Sequence, residues 1–176
     1  MTILTIGHST HPIERFIEML QANGVRHLID VRRYPRSRRN PQFNLESLSK
    51  TLPAAGIQYT HMPGLGGMRK ARPDSINTAW QNASFRGYAD YMQTAEFERE
   101  LAKLESVAGA ETTAIMCAES VPWQCHRSLI SDALTARGVS VEHILSETQR
   151  SPHRMTEFAK VEGSKVIYPA AQATLF

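Results

Sequence analysis

Two cysteines, a carboxylate, an imidazole and a guanidinium lie close together in residues 117–127 of this 176-residue chain. Glu119 is the best-placed residue for general acid or base catalysis, because it lies two positions after the end of a predicted strand. Cys125, His126 and Arg127 open a predicted helix, and the N–H groups at a helix N-terminus favour negative charge and lower the pKa of a thiol. These residue types predict a reactive thiolate or an anion-binding site.

The same residues also have a purely structural interpretation. Cys125 can be a small buried hydrophobic residue, and Arg127 can form an ion pair with Glu119. The ten-position spacing from Cys117 to Arg127 differs from the five-residue loop of a phosphatase-type anion site. A zinc site could be drawn from the cysteines and histidines, but nothing in their spacing requires one, so we predict no metal and no cofactor.

Two further segments place polar side chains directly after predicted strands. His8 and Ser9 follow the first strand, where an imidazole that titrates near neutrality can move a proton and a small-residue turn can hold an anion. Asp30 and Arg32 end the second strand and point to the same side of an extended chain, so that one can orient the other. The structural alternatives are a hydrogen-bonded core histidine and an ordinary salt bridge.

Positive charge is concentrated in the first half of the chain. Residues 1–91 hold 12 Lys+Arg and 6 Asp+Glu, while residues 92–176 hold 8 and 11, which together give the net charge of +3. Five arginines with an interleaved tyrosine stand within eight positions: Arg32, Arg33, Arg36, Arg38 and Arg39. Basic loops with aromatic residues suit a phosphodiester backbone and an unpaired base. We therefore predict an anionic ligand bound by Arg32, Arg36 and Arg127, a solvated surface loop being the alternative.

Short apolar runs alternate with helical patterns along the chain. The predicted strands cover residues 3–6, 25–31, 57–61, 112–117 and 139–145. Such alternation predicts an α/β fold with a mostly parallel, doubly wound sheet and helices on both faces, with an incomplete or small β/α barrel as the alternative. Residues 85–107 have a helical pattern, and the tail is compatible with a short helix at 155–161 and an edge strand at 165–168.

The segments that follow the strands are predicted to meet at one edge of the sheet, where ligands bind in open α/β folds. These segments are residues 7–11, 32–43, 62–70 and 117–127. With 41% hydrophobic and 21% charged residues, residues 1–176 are predicted to form a single domain. The sequence has neither a signal-peptide pattern nor an apolar run of membrane-spanning length, which predicts a cytoplasmic protein without a membrane partner.

Several short motifs together resemble the DUF488 family of bacterial and archaeal proteins. The motifs are Thr5-Ile-Gly-His-Ser9, Asp30-Val-Arg32 with Pro35 and Ser37, Leu65-Gly-Gly67, residues 85–92, and Met116-Cys-Ala-Glu119 with Cys125-His-Arg127. The resemblance implies a compact α/β domain and carries no established reaction. It also implies that eight residues occupy positions of the family's pattern: His8, Ser9, Asp30, Arg32, Glu119, Cys125, His126 and Arg127.

Three hypotheses about function follow from these residues. The first is an enzyme acting on a phosphate-bearing substrate, a nucleotide or nucleic acid, in which arginines hold the anion. Glu119 or His8 would then move a proton, and Cys125 would tune the reaction or act as the nucleophile. The second is a non-catalytic nucleic-acid-binding accessory domain. The third is a structural protein in which the Cys-His-Arg cluster is a buried polar tie.

Overall fold

The computed structural model describes residues 1–171, in which strands and helices alternate along most of the chain. The strands are β1 (Thr2–Gly7), β2 (His27–Asp30), β3 (Gln58–His61), β4 (Thr113–Cys117), β5 (Ser140–Ile144), β6 (Arg150–Pro152), β7 (Lys160–Glu162) and β8 (Lys165–Ile167). The helices are α1 (Ile13–Ala22), α2 (Leu45–Ala54), α3 (Ala83–Tyr91), α4 (Ala95–Ala108) and α5 (Arg127–Ala136). None of the helices in residues 1–171 combines the length and the apolar composition needed to cross a membrane.

Six strands form one sheet in the order β3-β2-β4-β1-β5-β6. The first five strands pair in parallel, and β6 pairs antiparallel with β5. Within residues 1–171 the sheet stays open, so the doubly wound α/β prediction is confirmed and the barrel alternative is wrong. Gly7 pairs with Cys117 and Asp30 pairs with Met116, which places the carboxyl ends of β1, β4 and β2 side by side.

Hydrophobic residues cover both faces of the sheet. Leu4 packs in a cluster with Phe16 of α1 and with side chains of α2. Its neighbour Ile3 belongs to a second cluster, which contains Leu101 of α4 and Leu129 of α5. Because successive strand residues point to opposite faces, β1 contributes to both clusters. The strands are therefore buried between two layers of helices, and their polar functional groups lie at the strand ends.

Two segments differ from the sequence prediction. The helical pattern over residues 85–107 is divided into α3 and α4, because Thr94 caps a new helix by accepting a hydrogen bond from the backbone N–H of Phe97 at 3.2 Å. Residues 155–161 do not form a helix. The predicted edge strand at 165–168 corresponds to β8, which pairs with β7 in a separate two-stranded sheet.

Candidate functional site

A cavity of about 860 Å³ opens at the carboxyl ends of β1, β2 and β4, and we call it the cleft. All four segments that were predicted to meet at this edge contribute to its lining. Ser9, Arg32, Gly67 and Glu119 each represent one of these segments. The convergence follows from the parallel strand order, which brings separate loops to one edge.

Arg32 is held in a fixed orientation at the wall of the cleft. Its Nε and Nη2 donate to the Asp30 carboxylate at 2.9 and 2.7 Å, and Nη2 also donates to the backbone oxygen of Phe43 at 2.6 Å. Its Nη1 donates to Nε2 of His8 at 3.3 Å. These bonds use four of the five guanidinium N–H groups, so one N–H on Nη1 has no acceptor within residues 1–171. Arg32 thus offers a preoriented donor to a ligand.

His8 is a neutral imidazole that helps to position Arg32. Its ring stacks on Phe43 with centroids 4.3 Å apart, and its Nδ1 donates to the backbone oxygen of Ser9 at 2.8 Å. Burial lowers the pKa of His8 to about 4, and the Arg32 charge acts in the same direction. The prediction that His8 titrates near neutrality is therefore wrong. Its Nε2 is occupied by Arg32, so this nitrogen does not serve as a free base.

The loop after β2 adds positive charge to the cleft. Arg33, Arg36 and Arg39 line it together with Arg32, and Glu119 is the one carboxylate among the lining residues. Arg36 forms an exposed ion pair at 3.5 Å with a glutamate of α2. No ion pair within the described part of the chain neutralises Arg33 or Arg39. The cleft therefore carries a net positive charge.

Arg127 supports the loop that carries Glu119 and does not line the cleft. Its side chain is fully buried, and its Nη2 donates to the backbone oxygens of Glu119 and Ser120 at 2.9 and 3.3 Å. Its Nη1 donates to the hydroxyl of Thr5 at 3.1 Å. Protein atoms enclose the guanidinium, so Arg127 has a structural role and not the predicted anion-binding role. The Glu119 residue is exposed at the cleft and forms no ion pair with Arg127.

The loops after β1 and β4 are in close contact at the cleft. A Cβ atom at Gly7 would lie 1.8 Å from the backbone oxygen of Glu119, so only glycine fits there. The Ser9 N–H donates to the backbone oxygen of Ala118 at 2.9 Å. Ser9 and Met68 are the two non-glycine residues of the described chain with positive φ, at 49° and 60°, and both line the cleft. Such backbone strain clusters at functional sites.

The two cysteines line the cleft and differ in acidity. Cys117 is 1% exposed and Cys125 is 6% exposed, and neither is in a disulfide. Burial disfavours ionisation of Cys117, but a hydrogen bond from Cys125 and the charge of Arg127 outweigh it and hold the pKa of Cys117 below its usual value. Burial and the contact with Cys117 raise the pKa of Cys125 well above its usual value. Of the two thiols, Cys125, which the sequence predicts to be acidic, has the raised pKa, and Cys117 has the lowered one.

His126 connects the cleft to β2. Its Nε2 donates to the backbone oxygen of Val31 at 2.8 Å, and its Nδ1 lies 3.5 Å from the Sγ of Cys125. Burial lowers the pKa of His126 to about 4, so the imidazole is neutral at physiological pH. With Nε2 carrying the proton, Nδ1 is an unprotonated acceptor next to a thiol. His126 thus lies in the predicted site but is not charged there.

A second polar cluster, the buried polar chain, lies behind Arg127 and was not predicted. It runs from Arg127 through Thr5, His143 and His153 to Asp132, with steps of 3.1, 2.6, 2.9 and 2.7 Å. Because a guanidinium only donates and a carboxylate only accepts, each member donates to the next in one direction. The buried polar chain contains two histidines and a carboxylate. However, no group of three or more His, Cys, Asp or Glu side chains in residues 1–171 is arranged to hold a metal ion.

The fold and the site define the class of protein: an open α/β sheet with an arginine-lined cleft at the carboxyl ends of its parallel strands. Comparison with protein families identifies it further. The chain belongs to the family of the domain of unknown function DUF488, whose model matches residues 12–134. The match contains every predicted site residue except His8 and Ser9. No curated protein and no solved structure matched the chain.

Proposed function

We propose that this protein is an enzyme that acts on a phosphate-bearing substrate, a nucleotide or a nucleic acid, in the cleft. The charge of the cleft is the observation that carries this proposal, because four arginines and one glutamate line it. Guanidinium groups match the geometry of phosphate oxygens and bind them through two parallel hydrogen bonds. A concave site lined by one sign of charge also attracts ligands of the opposite sign.

Arg32 is the residue we expect to contact the phosphate most specifically. Asp30, His8 and Phe43 fix its guanidinium and leave one N–H available. A donor that is oriented before the ligand arrives needs no reorganisation during the reaction. Because Asp30 neutralises Arg32, the net attraction comes from the other arginines of the cleft. Arg36 and Arg39 are exposed and can adjust to the ligand.

Glu119 is the residue to which we assign proton transfer. It is the one carboxylate of the cleft lining, it is exposed to solvent, and its backbone oxygen is held by Arg127 at 2.9 Å. A carboxylate in this position can take a proton from a water or hydroxyl that attacks the substrate. His8 and His126 are poorer candidates. Both ring nitrogens of His8 are engaged by Ser9 and Arg32, and His126 donates its Nε2 proton to the backbone oxygen of Val31.

The alternative is a nucleic-acid-binding domain without catalysis, and Tyr34 is the observation that favours it. Tyr34 is 64% exposed and lines the cleft beside Arg33, whose guanidinium lies 5.7 Å from its ring centroid. Exposed aromatic rings among arginines provide stacking platforms for unpaired bases. A binding domain would use the same arginines and would not need Glu119.

The test measures binding and turnover with two probes, a labelled single-stranded oligonucleotide and a nucleoside triphosphate. Fluorescence anisotropy reports oligonucleotide binding, and ion-exchange chromatography reports conversion of either probe. We expect the double variant Arg36→Ala/Arg39→Ala to weaken binding at least about tenfold, since it removes two phosphate-binding charges. The matched control is Arg99→Ala, which removes an exposed arginine on α4.

Glu119→Gln distinguishes an enzyme from a nucleic-acid-binding domain without catalysis. An enzyme is expected to lose about 10²- to 10⁴-fold in turnover with binding preserved, because the amide cannot move the proton. Salt-sensitive binding without turnover of either probe would replace the enzyme by the binding domain. If neither probe binds, both the enzyme and the nucleic-acid-binding domain are excluded, and the structural hypothesis remains.

A further inference from the structure

We propose that the cleft binds an unpaired strand of nucleic acid, and that Trp123 and Tyr34 are the platforms on which successive bases of the strand stack. The inference rests on the phosphate-binding role proposed for the cleft and names the substrate class. The ligand is a single strand of two or more nucleotides, and neither a mononucleotide nor a duplex.

The edge of the cleft carries the three most exposed large hydrophobic side chains in residues 1–171, and we call them the apolar rim. They are Met68 at 73%, Trp123 at 72% and Tyr34 at 64% exposure. Tyr34 and Met68 line the cleft, and Trp123 lies in the chain between Ser120 and Gln124, which also line it. Single exposed hydrophobic residues are ordinary, but a group of them at a concave site indicates a binding surface.

The three residues of the apolar rim come from three loops, which contact one another. Arg33 donates from Nη1 to the backbone oxygen of Met68 at 3.0 Å, and its guanidinium carbon lies 5.7 Å from the ring centroid of Tyr34. A Cβ atom at Gly67 would lie 3.2 Å from Nδ1 of His126, just before α5. The loop after β3 therefore bridges the loop after β2 and the loop after β4.

Trp123 is exposed although its backbone is held in place. It is the middle residue of a short 3₁₀ turn, Pro122–Gln124, in which Pro122 is buried. The backbone N–H of Cys125 donates to the oxygen of Pro122 at 3.2 Å, and that of Gln124 donates to the oxygen of Val121 at 3.1 Å. The fold thus presents the indole ring to solvent on a defined turn. A base stacked on this ring would remove its apolar surface from water.

The charge beside the apolar rim favours nucleic acid over an apolar protein partner. Arg33 and Arg39 line the cleft and form no ion pair within the part of the chain that the structure describes. Aromatic rings next to such arginines match the bases and phosphates that alternate along a single strand. A duplex presents only the edges of its bases in the grooves, and a mononucleotide has one base for the whole rim. An unpaired strand fits both features.

The test compares three fluorescein-labelled probes by anisotropy with the full-length protein. They are an oligothymidylate of about ten nucleotides, an abasic strand with the same number of phosphates, and a hairpin duplex. We expect the wild-type protein to bind oligothymidylate at least about tenfold more tightly than either of the other probes. The reason is that stacking on one aromatic ring strengthens binding about fivefold to a hundredfold for each base.

Trp123→Ala and Tyr34→Ala are each expected to weaken oligothymidylate binding at least about fivefold and to leave binding of the abasic strand unchanged. Trp123→Phe keeps an aromatic ring and should retain most of the affinity. The matched control is Val161→Ala, which removes an exposed apolar side chain of β7 outside the cleft lining and should change neither affinity. Trp80 is the one other tryptophan and is half-buried, so quenching of tryptophan emission by oligothymidylate should be largely lost in Trp123→Phe.

Equal affinity for oligothymidylate and for the abasic strand would overturn the inference, and so would unchanged oligothymidylate affinity in Trp123→Ala. In either case, binding that still depends on Arg36 and Arg39 would leave the phosphate-binding role of the cleft in place. A nucleoside triphosphate that binds as tightly as oligothymidylate would also overturn the single strand as ligand and leave that role in place. If the wild-type protein binds none of these probes, the inference and the phosphate-binding role both fail.

Discussion

The protein buries two arginines at the rim of its sheet and places them in opposite environments. Arg32 is 8% exposed, forms a two-bond ion pair with Asp30, and lines the cleft. Arg127 is fully buried, binds a hydroxyl and two backbone oxygens, and has no carboxylate partner in residues 1–171. Position at the carboxyl edge of a sheet therefore does not make an arginine a ligand-binding residue. Arg32, whose charge is neutralised and which has one free N–H, is suited to binding a ligand. Arg127, whose charge is enclosed by protein atoms, is suited to holding a loop in place.

Acid is expected to have the largest effect on stability, because it protonates the buried neutral imidazoles that lie near both arginines. The pKa values of His8, His126 and His143 are about 4 in the folded chain, against an ordinary value of 6.5. Between these values the unfolded chain binds protons that the folded chain excludes, so stability falls as pH decreases from 6.5 towards 4. Each imidazole contributes at most about 3 kcal/mol to this fall.

Urea unfolding at a series of pH values measures this fall. His143→Gln should flatten this fall in part, since it removes one of the buried imidazoles whose pKa is lowered. A free energy of unfolding that stays constant from neutral pH to about 4.5 would contradict the burial of neutral histidines beside the arginines.

Asp30→Ala tests whether Arg32 depends on its ion pair with Asp30. The substitution leaves the guanidinium of Arg32 without its counter-charge and the hydroxyl of Tyr59, which donates to Asp30 at 2.5 Å, without its acceptor. Removing one partner of a buried ion pair costs about 3–5 kcal/mol. Chemical denaturation measures the loss, and Asp74→Ala, which breaks an exposed pair, should cost much less. Similar losses in the two variants would show that Arg32 does not depend on Asp30.

Arg32→Lys and Arg39→Ala are expected to distinguish two contributions to oligonucleotide affinity, that of an oriented hydrogen-bond donor and that of an exposed charge. Arg32→Lys keeps the charge but loses the remaining N–H that Asp30, His8 and Phe43 hold in place, so affinity should fall about tenfold with an unchanged salt dependence. Arg39→Ala removes an exposed charge, so affinity should fall a few-fold and the salt slope should decrease by about 1. Titrations at several salt concentrations distinguish the two. A reduced slope in Arg32→Lys would mean that Arg32 acts as an ordinary surface charge.

Glu119→Gln is expected to have the smallest effect on stability. Arg127 binds the backbone oxygen of Glu119, and the side chain is exposed, so the free energy of unfolding should change by less than about 0.5 kcal/mol. Thermal or chemical unfolding checks this value. A loss of several kcal/mol would indicate that the carboxylate, rather than the backbone, is the partner of Arg127.

The fold and the meeting of the loops were predictable, whereas the environments of individual side chains were not. Alternating apolar runs predict a parallel sheet, and a parallel sheet brings the loops after β1, β2 and β4 to one edge whatever their residues. The enclosure of Arg127 depends on how α5 is rotated against the sheet, which no spacing reveals. The lowered pKa of Cys117 depends on Cys125 and on the charge of Arg127, which outweigh its burial. The neutrality of His8 depends on desolvation by residues distant in sequence, such as Phe43.

The carboxylate of Asp132 links the C-terminal segment to the rest of the protein. It accepts hydrogen bonds from His153, from the backbone and hydroxyl of Thr156, and from the hydroxyl of Tyr168. All of these donors lie beyond residue 134, where the match to the family model ends. Without these donors the interior of the protein would retain an acid with nothing to bind it. We therefore expect the acid at position 132 and its donors at positions 153, 156 and 168 to be gained and lost together during evolution.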